Sequence, residues 1–167
     1  MPETETALAP PLRAVMSRFA TGVVVLTSGG AHANAMTANA FTSLSLDPPM
    51  VLACVARTAT MHRSITAARR FAVSLLSAGQ EDLARRFADS SRPRGDALFS
   101  AVGVRPGPVT GAPLLEGALA WLECELDQDY RAGTHSIFVG RVVSAEFGAD
   151  DATSMVYLGG KFHRPTP

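Results

Sequence analysis

The sequence predicts a mainly β protein, a closed or nearly closed antiparallel barrel with short helices inserted. Three observations lead there. The apolar runs are short, β-branched and punctuated by Gly, Pro and Ser, as hairpin-connected strands are. Residues 118–130 alternate, with Ala120, Leu122, Cys124 and Leu126 on one face and Glu123, Glu125 and Asp127 on the other, which is the pattern of a half-buried antiparallel strand. Finally, strands and helices do not alternate regularly, as a doubly wound sheet would require. Closing the sheet removes its exposed edges.

Residues 1–11 read as a loose acidic tail ending in Pro10-Pro11, followed by a domain over 12–162 and a Pro-rich tail over 163–167. A short amphipathic helix is expected over 12–20, with Leu12, Val15, Met16 and Phe19 on one side. Thr21-Gly22 breaks it. Val23-Val24-Val25-Leu26-Thr27 is a β-branched strand, and Gly29-Gly30 turns it into a second strand over 31–36. Residues 37–47 read as a polar connection to Pro48-Pro49, which bars continued pairing there. Residues 50–55 form a buried strand. A helix is expected over 60–69 with Met61, Ile65 and Ala68 on one face, then a strand over 71–76. A second helix follows over 80–88 with Leu83, Ala84 and Phe87 inward. Residues 89–113, rich in Gly, Pro, Ser and Arg, form a long loop with one short strand. The alternating strand turns at Arg131-Ala132-Gly133 and returns over 136–147, with Gly140 as a bulge or a close approach. The total is roughly six to eight strands.

Bulk properties narrow the function. A chain of 167 residues forms one domain with a sizeable core. Formal net charge is zero, so nothing favours nucleic acid or an anionic membrane as partner. Charged residues make up 18% of the chain, below the roughly 25% of an average soluble protein. That shortfall points to apolar surface buried in a partner subunit. Cys54 and Cys124 have neither CxxC spacing nor the makings of a disulfide framework, and read as core thiols. No apolar run spans a membrane and no signal peptide is visible, so a cytoplasmic location is expected. The Rossmann fingerprint, the P-loop, the nucleophile elbow and the HExxH metal motif are absent. The histidines His32, His62, His135 and His163 have no ligand spacing, and no metal is expected.

Three constellations remain. The run from Asn34 to Pro49 is dense in small and hydroxyl residues. Such a run suits the close approach of a flat ring cofactor, with Thr37, Asn39 and Ser43 as donors; a plain turn-rich connection has the same composition. Cys54-Val55-Ala56-Arg57-Thr58-Ala59-Thr60 carries a strand into a helix start suited to a phosphate, or equally to an ordinary cap by Thr58 or Thr60. Gly133-Thr134-His135-Ser136 places a histidine in a small-residue turn, where it meets a substrate or simply faces water.

Together these stretches resemble the short-chain flavin reductases of the FMN-binding split-barrel superfamily, the reductase components of two-component flavin-dependent monooxygenases. The resemblance runs from Phe19-Ala20-Thr21-Gly22 through Met36-Thr37-Ala38-Asn39-Ala40-Phe41 and Ser43-Leu44-Ser45-Leu46-Asp47-Pro48-Pro49. It continues in Phe71-Ala72-Val73-Ser74-Leu75-Leu76, Arg86-Phe87-Ala88 and Trp121-Leu122-Glu123-Cys124. Gly133 through Val142, and Tyr157 with Gly160, complete it. It implies a Greek-key-like split barrel, homodimeric, that binds FMN or FAD and oxidises NADH or NADPH by hydride transfer from nicotinamide C4 to flavin N5. Met36, Thr37, Ala38, Asn39 and Ala40 would line the flavin ring edge, with Ser45 and Leu46 nearby. Cys54, Val55 and Ala56 would run beside the ribityl chain, with Arg57, Ala59 and Thr60 at the phosphate. Phe87 would approach the outer flavin. His135, as the catalytic residue, would meet the nicotinamide together with Tyr157 and Gly160. Reduced flavin would leave by diffusion for a separate monooxygenase. A tightly FMN-binding electron-transfer protein is the alternative within the same superfamily.

The chain departs from that family's pattern at four positions. Ala40 stands where serine is usual, Asn34 where glycine is, and Thr134 where aspartate precedes the histidine. Gly159 falls where arginine or another polar residue is frequent.

Overall fold

The computed structural model describes residues 10–148 and 152–166, so most of the expected N-terminal tail lies outside the described residues. A short helix α1 (Leu12–Met16) precedes strands β1 (Thr21–Gly22), β2 (Val24–Ser28), β3 (Asn34–Ala38), β4 (Phe41–Leu46) and β5 (Pro49–Ala56). Then come helix α2 (Thr60–Ala68), β6 (Arg70–Leu75) and helix α3 (Glu81–Ala88). Strands β7 (Val104–Pro106), β8 (Pro113–Leu115), β9 (Ala120–Ala132), β10 (His135–Phe147), β11 (Val156–Leu158) and β12 (Lys161–His163) complete the order. The last strand ends one residue beyond the boundary read from the sequence.

One antiparallel seven-stranded sheet, in the order β3-β2-β6-β9-β10-β5-β4, dominates. Its two outer strands are consecutive in the chain, because β3 ends at Ala38 and β4 begins at Phe41. Asn39-Ala40 therefore joins the two edges, and the sheet curls back on itself as a split barrel. The Ala40 carbonyl accepts a hydrogen bond of 2.9 Å from the Cys54 N–H, which carries the β4–β5 ladder one residue further, to the seam. Inward side chains from these strands fill the lumen: Leu26, Ala53, Phe71, Cys124 and Phe138 are buried, and Met61 and Ile65 of α2 pack among them. Each of the Leu, Ile, Phe and Met side chains among them contributes about 1.5–3 kcal/mol when fully buried.

A second apolar core lies outside β2, where Val23, Val25 and Leu76 meet Ala84 and Phe87 of α3 and Met155. The small sheet β1-β11-β12 stands beside it, with Tyr157 and Phe162 packed against this core.

Several sequence expectations are corrected. The expected connection over 37–47 contains strand β4, paired with β5 from Phe41↔Ala53 to Leu46↔Pro49. Pro48-Pro49 does not end pairing; Asp47-Pro48 forms the hairpin turn and Pro49 opens β5, a position where a missing N–H is tolerated. More strands form than expected because β1, β7, β8, β11 and β12 are only two or three residues long. Helix α1 is shorter than expected, and its apolar residues Leu12, Val15 and Met16 are exposed, as is Phe19 just beyond.

The polar face of β9 does not simply face water. Glu123 is 2% exposed. Its carboxylate accepts from the Thr110 N–H and hydroxyl, each at 2.7 Å, and from the Val109 N–H at 3.1 Å. The loop between β7 and β8 thus folds over β9, and Arg105 stacks on Trp121 with its guanidinium carbon 4.7 Å from the ring centre. Gly140 is both a register shift and a close approach: a Cβ there would lie 2.5 Å from the Phe71 ring.

Candidate functional site

The seam positions a cleft of about 500 Å³. Thr37, Ala38 and Asn39 form one wall, Arg85, Ala88 and Asp89 another, and Tyr157, Gly160 and Phe162 a third. Local structure explains each wall. The Thr37 hydroxyl donates to the Ala84 carbonyl at 2.7 Å, fastening β3 to α3. Its proton is therefore committed within the chain, which corrects the expectation that it serves as a donor to a ligand. Asn39 is exposed and free of such a bond among the described residues. Tyr157 and Phe162 face each other across the β11–β12 hairpin with ring centres 5.4 Å apart. Gly159 and Gly160 turn that hairpin with φ of 62° and 79°, a region costly for residues with a Cβ. A polar residue at Gly159 would be strained, which gives a physical reason for glycine there. Arg85 lies over the Phe162 ring at 5.2 Å and pairs with Glu81.

On the other side of the seam, β5 runs from Cys54 to Ala56 and empties into α2. Helix α2 begins at Thr60 after Ala59, with no side chain capping its first turn. Neither Thr58 nor Thr60 provides the ordinary cap that the sequence allowed. The first backbone N–H groups of a helix lack the usual intrahelical partner; here Ala59 and His62 donate to the Ala56 and Ala59 carbonyls, which leaves the N–H groups of Thr60 and Met61 for an anion, with Arg57 and Thr58 exposed beside them. That donor set fits a phosphate. Val55 is fully buried, and its side chain points into the lumen core, so only its backbone can meet a ligand. Met36 is half-buried against the same core.

His135 opens β10 opposite Ala56, and the Arg57 N–H donates to the Thr134 carbonyl at 3.0 Å. The histidine is thus joined to the β5–α2 end of the site. A second cleft of about 560 Å³ lies there, lined by Arg57, Thr58, His62, Arg131 and Thr134 among others. Nε2 of His62 shares a hydrogen bond of 2.9 Å with the buried Ser136 hydroxyl. His62 therefore borders this second cleft. Within one chain His135 does not share a cleft with Tyr157 and Gly160, which line the first. Ser45 and Leu46 lie toward the far end of β4, roughly 15 Å along the strand from Ala40. They face Met50 and Pro49 rather than Cys54, and Leu46 is 89% exposed.

One expectation from the resemblance is corrected outright. Phe87 is completely buried in the second core, with its ring 6.1 Å from Phe99, so it has no surface with which to touch a flavin. Arg85 and Ala88 of α3, and Asp89 just past its end, are the residues here that do reach the cleft. Arg85 and Ala88 share a helix face through their i, i+3 spacing, a usable sequence signal, whereas Asp89 is placed by the extended backbone that ends the helix. Cys54 and Cys124 are free thiols. Burial, and secondarily the Glu123 charge, push Cys124 up to about 12, so it stays protonated and inert.

A split antiparallel barrel with a small-residue seam, a cleft on one side of it and an uncapped helix start on the other has the form of a cofactor-binding barrel. Which kind it is follows from its relatives. The chain belongs to the flavin reductase like domain family, whose model matches residues 16–166. An NADH-dependent FAD reductase of Streptomyces globisporus is 49% identical over 157 residues, covering 93% of this chain and 85% of that protein. An NADH:FMN oxidoreductase of Rhodococcus qingshengii is 34% identical over 173 residues, covering 99% and 87%. Among solved structures, BorF, the flavin reductase component of a bacterial two-component tryptophan halogenase, superposes with a TM-score of 0.89. It is 48% identical and covers 94% of this chain and 98% of that one. The Streptomyces globisporus NADH:FAD oxidoreductase in complex with NAD and FAD fragments is similar at a TM-score of 0.87 and 46% identity, covering 93% and 92%. No helix of the described residues is long and apolar enough to cross a membrane.

Proposed function

We propose that this chain is an NADH-dependent flavin reductase that releases reduced flavin to a separate oxygenase. The observation that carries the reading is the seam itself. It brings an open, small-residue edge at Asn39-Ala40 within one hydrogen bond of Cys54, near the end of the strand that leads to the unpaired first N–H groups of α2 at Thr60 and Met61. The ring edge of a flavin would meet Asn39 and the backbone of Ala38 and Ala40. Its chain would follow Cys54 to Ala56, and its phosphate would meet Arg57, Ala59 and the N–H group of Thr60, the Ala59 N–H itself being held by the Ala56 carbonyl. Bound flavin supplies the hydride acceptor. The chain's own contribution is to hold two rings face to face at reacting distance and to exclude water between them.

The cleft bounded by Asn39, Tyr157 and Gly160 takes the nicotinamide nucleotide. His135, reaching it in the homodimer or through an extended cofactor, orients the dihydronicotinamide. Ala40 offers no hydroxyl, so the ring is held by backbone contacts and the flavin exchanges as a substrate. The exposed apolar side chains Leu12, Val15, Met16, Phe19 and Phe147 support a homodimer. The two free thiols fit a reducing compartment, the cytoplasm.

The test is a steady-state assay of the purified protein with each of FAD and FMN against each of NADH and NADPH. Nicotinamide oxidation that requires added flavin is expected. Tightly held FMN without turnover would instead identify an electron carrier. Replacing Asn39 by Leu is expected to weaken flavin binding; an unchanged dissociation constant refutes its placement.

A further inference from the structure

We propose that Asp89 is the residue that selects NADH over NADPH, by accepting a hydrogen bond from the adenosine ribose 2′-hydroxyl and repelling a 2′-phosphate. The proposal rests on the reading of the seam cleft as the nicotinamide-nucleotide site.

Arg85 and Asp89 are the charged residues that line this cleft. They are not equivalent. Arg85 is already paired: its Nε and Nη2 both donate to Glu81 Oε1, at 2.9 and 2.5 Å, and its guanidinium lies over Phe162. Its charge is half spent before any ligand arrives. Asp89 is unspent. The Ser91 N–H and the Ser91 hydroxyl both donate to Oδ1, each at 2.8 Å, and among the described residues nothing donates to Oδ2. The neighbouring Arg92 gives its Nη1 hydrogen bond, at 2.8 Å, to the main-chain carbonyl of Asp89 and not to the carboxylate. The Ser91 N–H, and next the Ser91 hydroxyl, hold the Asp89 carboxyl below its usual range, so it is ionised throughout the neutral range.

One oxygen of a fixed carboxylate is thus left as an acceptor on the cleft wall. A sugar hydroxyl can donate to it, and a fixed carboxylate on a ribose hydroxyl is a general device for recognising the unphosphorylated dinucleotide. A 2′-phosphate cannot donate, and it brings about two negative charges against a third. No unpaired cation among the cleft-lining residues offsets them. The Ser91 bonds fix the carboxylate in place, so it cannot swing away at little cost.

The experiment measures kcat/KM for NADH and for NADPH at saturating FAD in the wild-type protein, Asp89→Ser, Asp89→Arg and Ala88→Trp. The wild type is expected to favour NADH. Asp89→Ser is expected to raise the NADPH-to-NADH ratio about tenfold or more, chiefly through KM for NADPH, and Asp89→Arg further still. FAD affinity, measured separately by flavin fluorescence, stays within twofold in the Asp89 variants and shows that the barrel has folded. Ala88→Trp fills the cleft beside Asp89 and is expected to raise KM for both nicotinamides. If Ala88→Trp raises both KM values while Asp89→Ser and Asp89→Arg leave the ratio unchanged, Asp89 is not the selector and the proposal is overturned. If Ala88→Trp leaves both KM values unchanged, the cleft does not take the nicotinamide nucleotide, and the underlying reading falls with the proposal.

Discussion

The Thr134 hydroxyl and Nδ1 of His135 share a hydrogen bond of 2.9 Å. Threonine stands here where the family resemblance leads one to expect aspartate, and the contact gives the imidazole a neutral partner in place of a charged one. The ring is steered without an added negative charge beside it. Nε2 is left free to meet a substrate.

Removing that hydroxyl with Thr134→Val is expected to lower kcat/KM for NADH about three- to tenfold, the worth of one modest hydrogen bond. Flavin affinity should not move. His135→Ala is expected to lose more NADH turnover than Thr134→Val, again with flavin affinity retained. Stopped-flow hydride transfer and flavin fluorescence titration separate the two quantities. Equal loss of both would make the pair structural.

On the proposed placement the flavin phosphate meets Arg57 and the uncapped start of α2, so Arg57→Ala is expected to weaken FMN and FAD binding by about tenfold, the worth of one charge-assisted contact. Riboflavin, which has no phosphate, is the control and should bind equally well to both proteins. Comparable weakening of all three flavins would remove Arg57 from the phosphate.

Glu123 is buried and satisfied by Thr110 and Val109. Glu123→Ala leaves those donors without a partner and is expected to destabilise the fold by about 2–4 kcal/mol. Urea unfolding of the apoprotein measures it. Because the affected loop lies over β9 and does not line the seam cleft, FAD affinity of the remaining folded protein should be close to normal.

Cys124 yields an alkaline signature. Its folded-state proton is held up to about 12, against 9.0 for a free thiol. Above pH 9 the unfolded chain releases this proton while the folded chain keeps it. The unfolded state then binds fewer protons, and stability falls with rising pH, by at most about 1.4 kcal/mol per unit. The loss spans pH 9 to 12 and is complete as pH passes the folded value. Cys124→Ala should flatten the stability curve in that window; identical slopes would show that the buried thiol does not couple to folding.

Much of the barrel was legible in the chain because β2 and β6, buried on both faces, read as continuous apolar runs and β9 alternates in residue type. Residues 120–126 alternate visibly, and Gly140 announced its close approach. Strand β4 was not legible. Thr42, Ser43 and Leu44 are all exposed and only Phe41 and Ser45 are partly covered, so no period of two survives to mark it. The burial of Glu123 was hidden for another reason: its partners Val109 and Thr110 lie in a distant loop, and an acid in an alternating strand has every local mark of a solvated residue. Phe87 shows the reverse tension. Its helical spacing put it inward, the family resemblance put it on the cofactor, and the packing follows the spacing. The seam residues Thr37, Ala38 and Asn39 were legible as a set only through their resemblance, since small residues carry no periodic signal of their own.

The link Asn39-Ala40 holds together by covalent bonds what every other pair of neighbours in the large sheet holds together by ladder hydrogen bonds. A circular permutant opened at that link would keep every described ladder pairing yet lose the tether between the two outer strands. Fold and cofactor grip would thereby come apart: a chain cut there could remain a barrel while ceasing to be a flavoprotein.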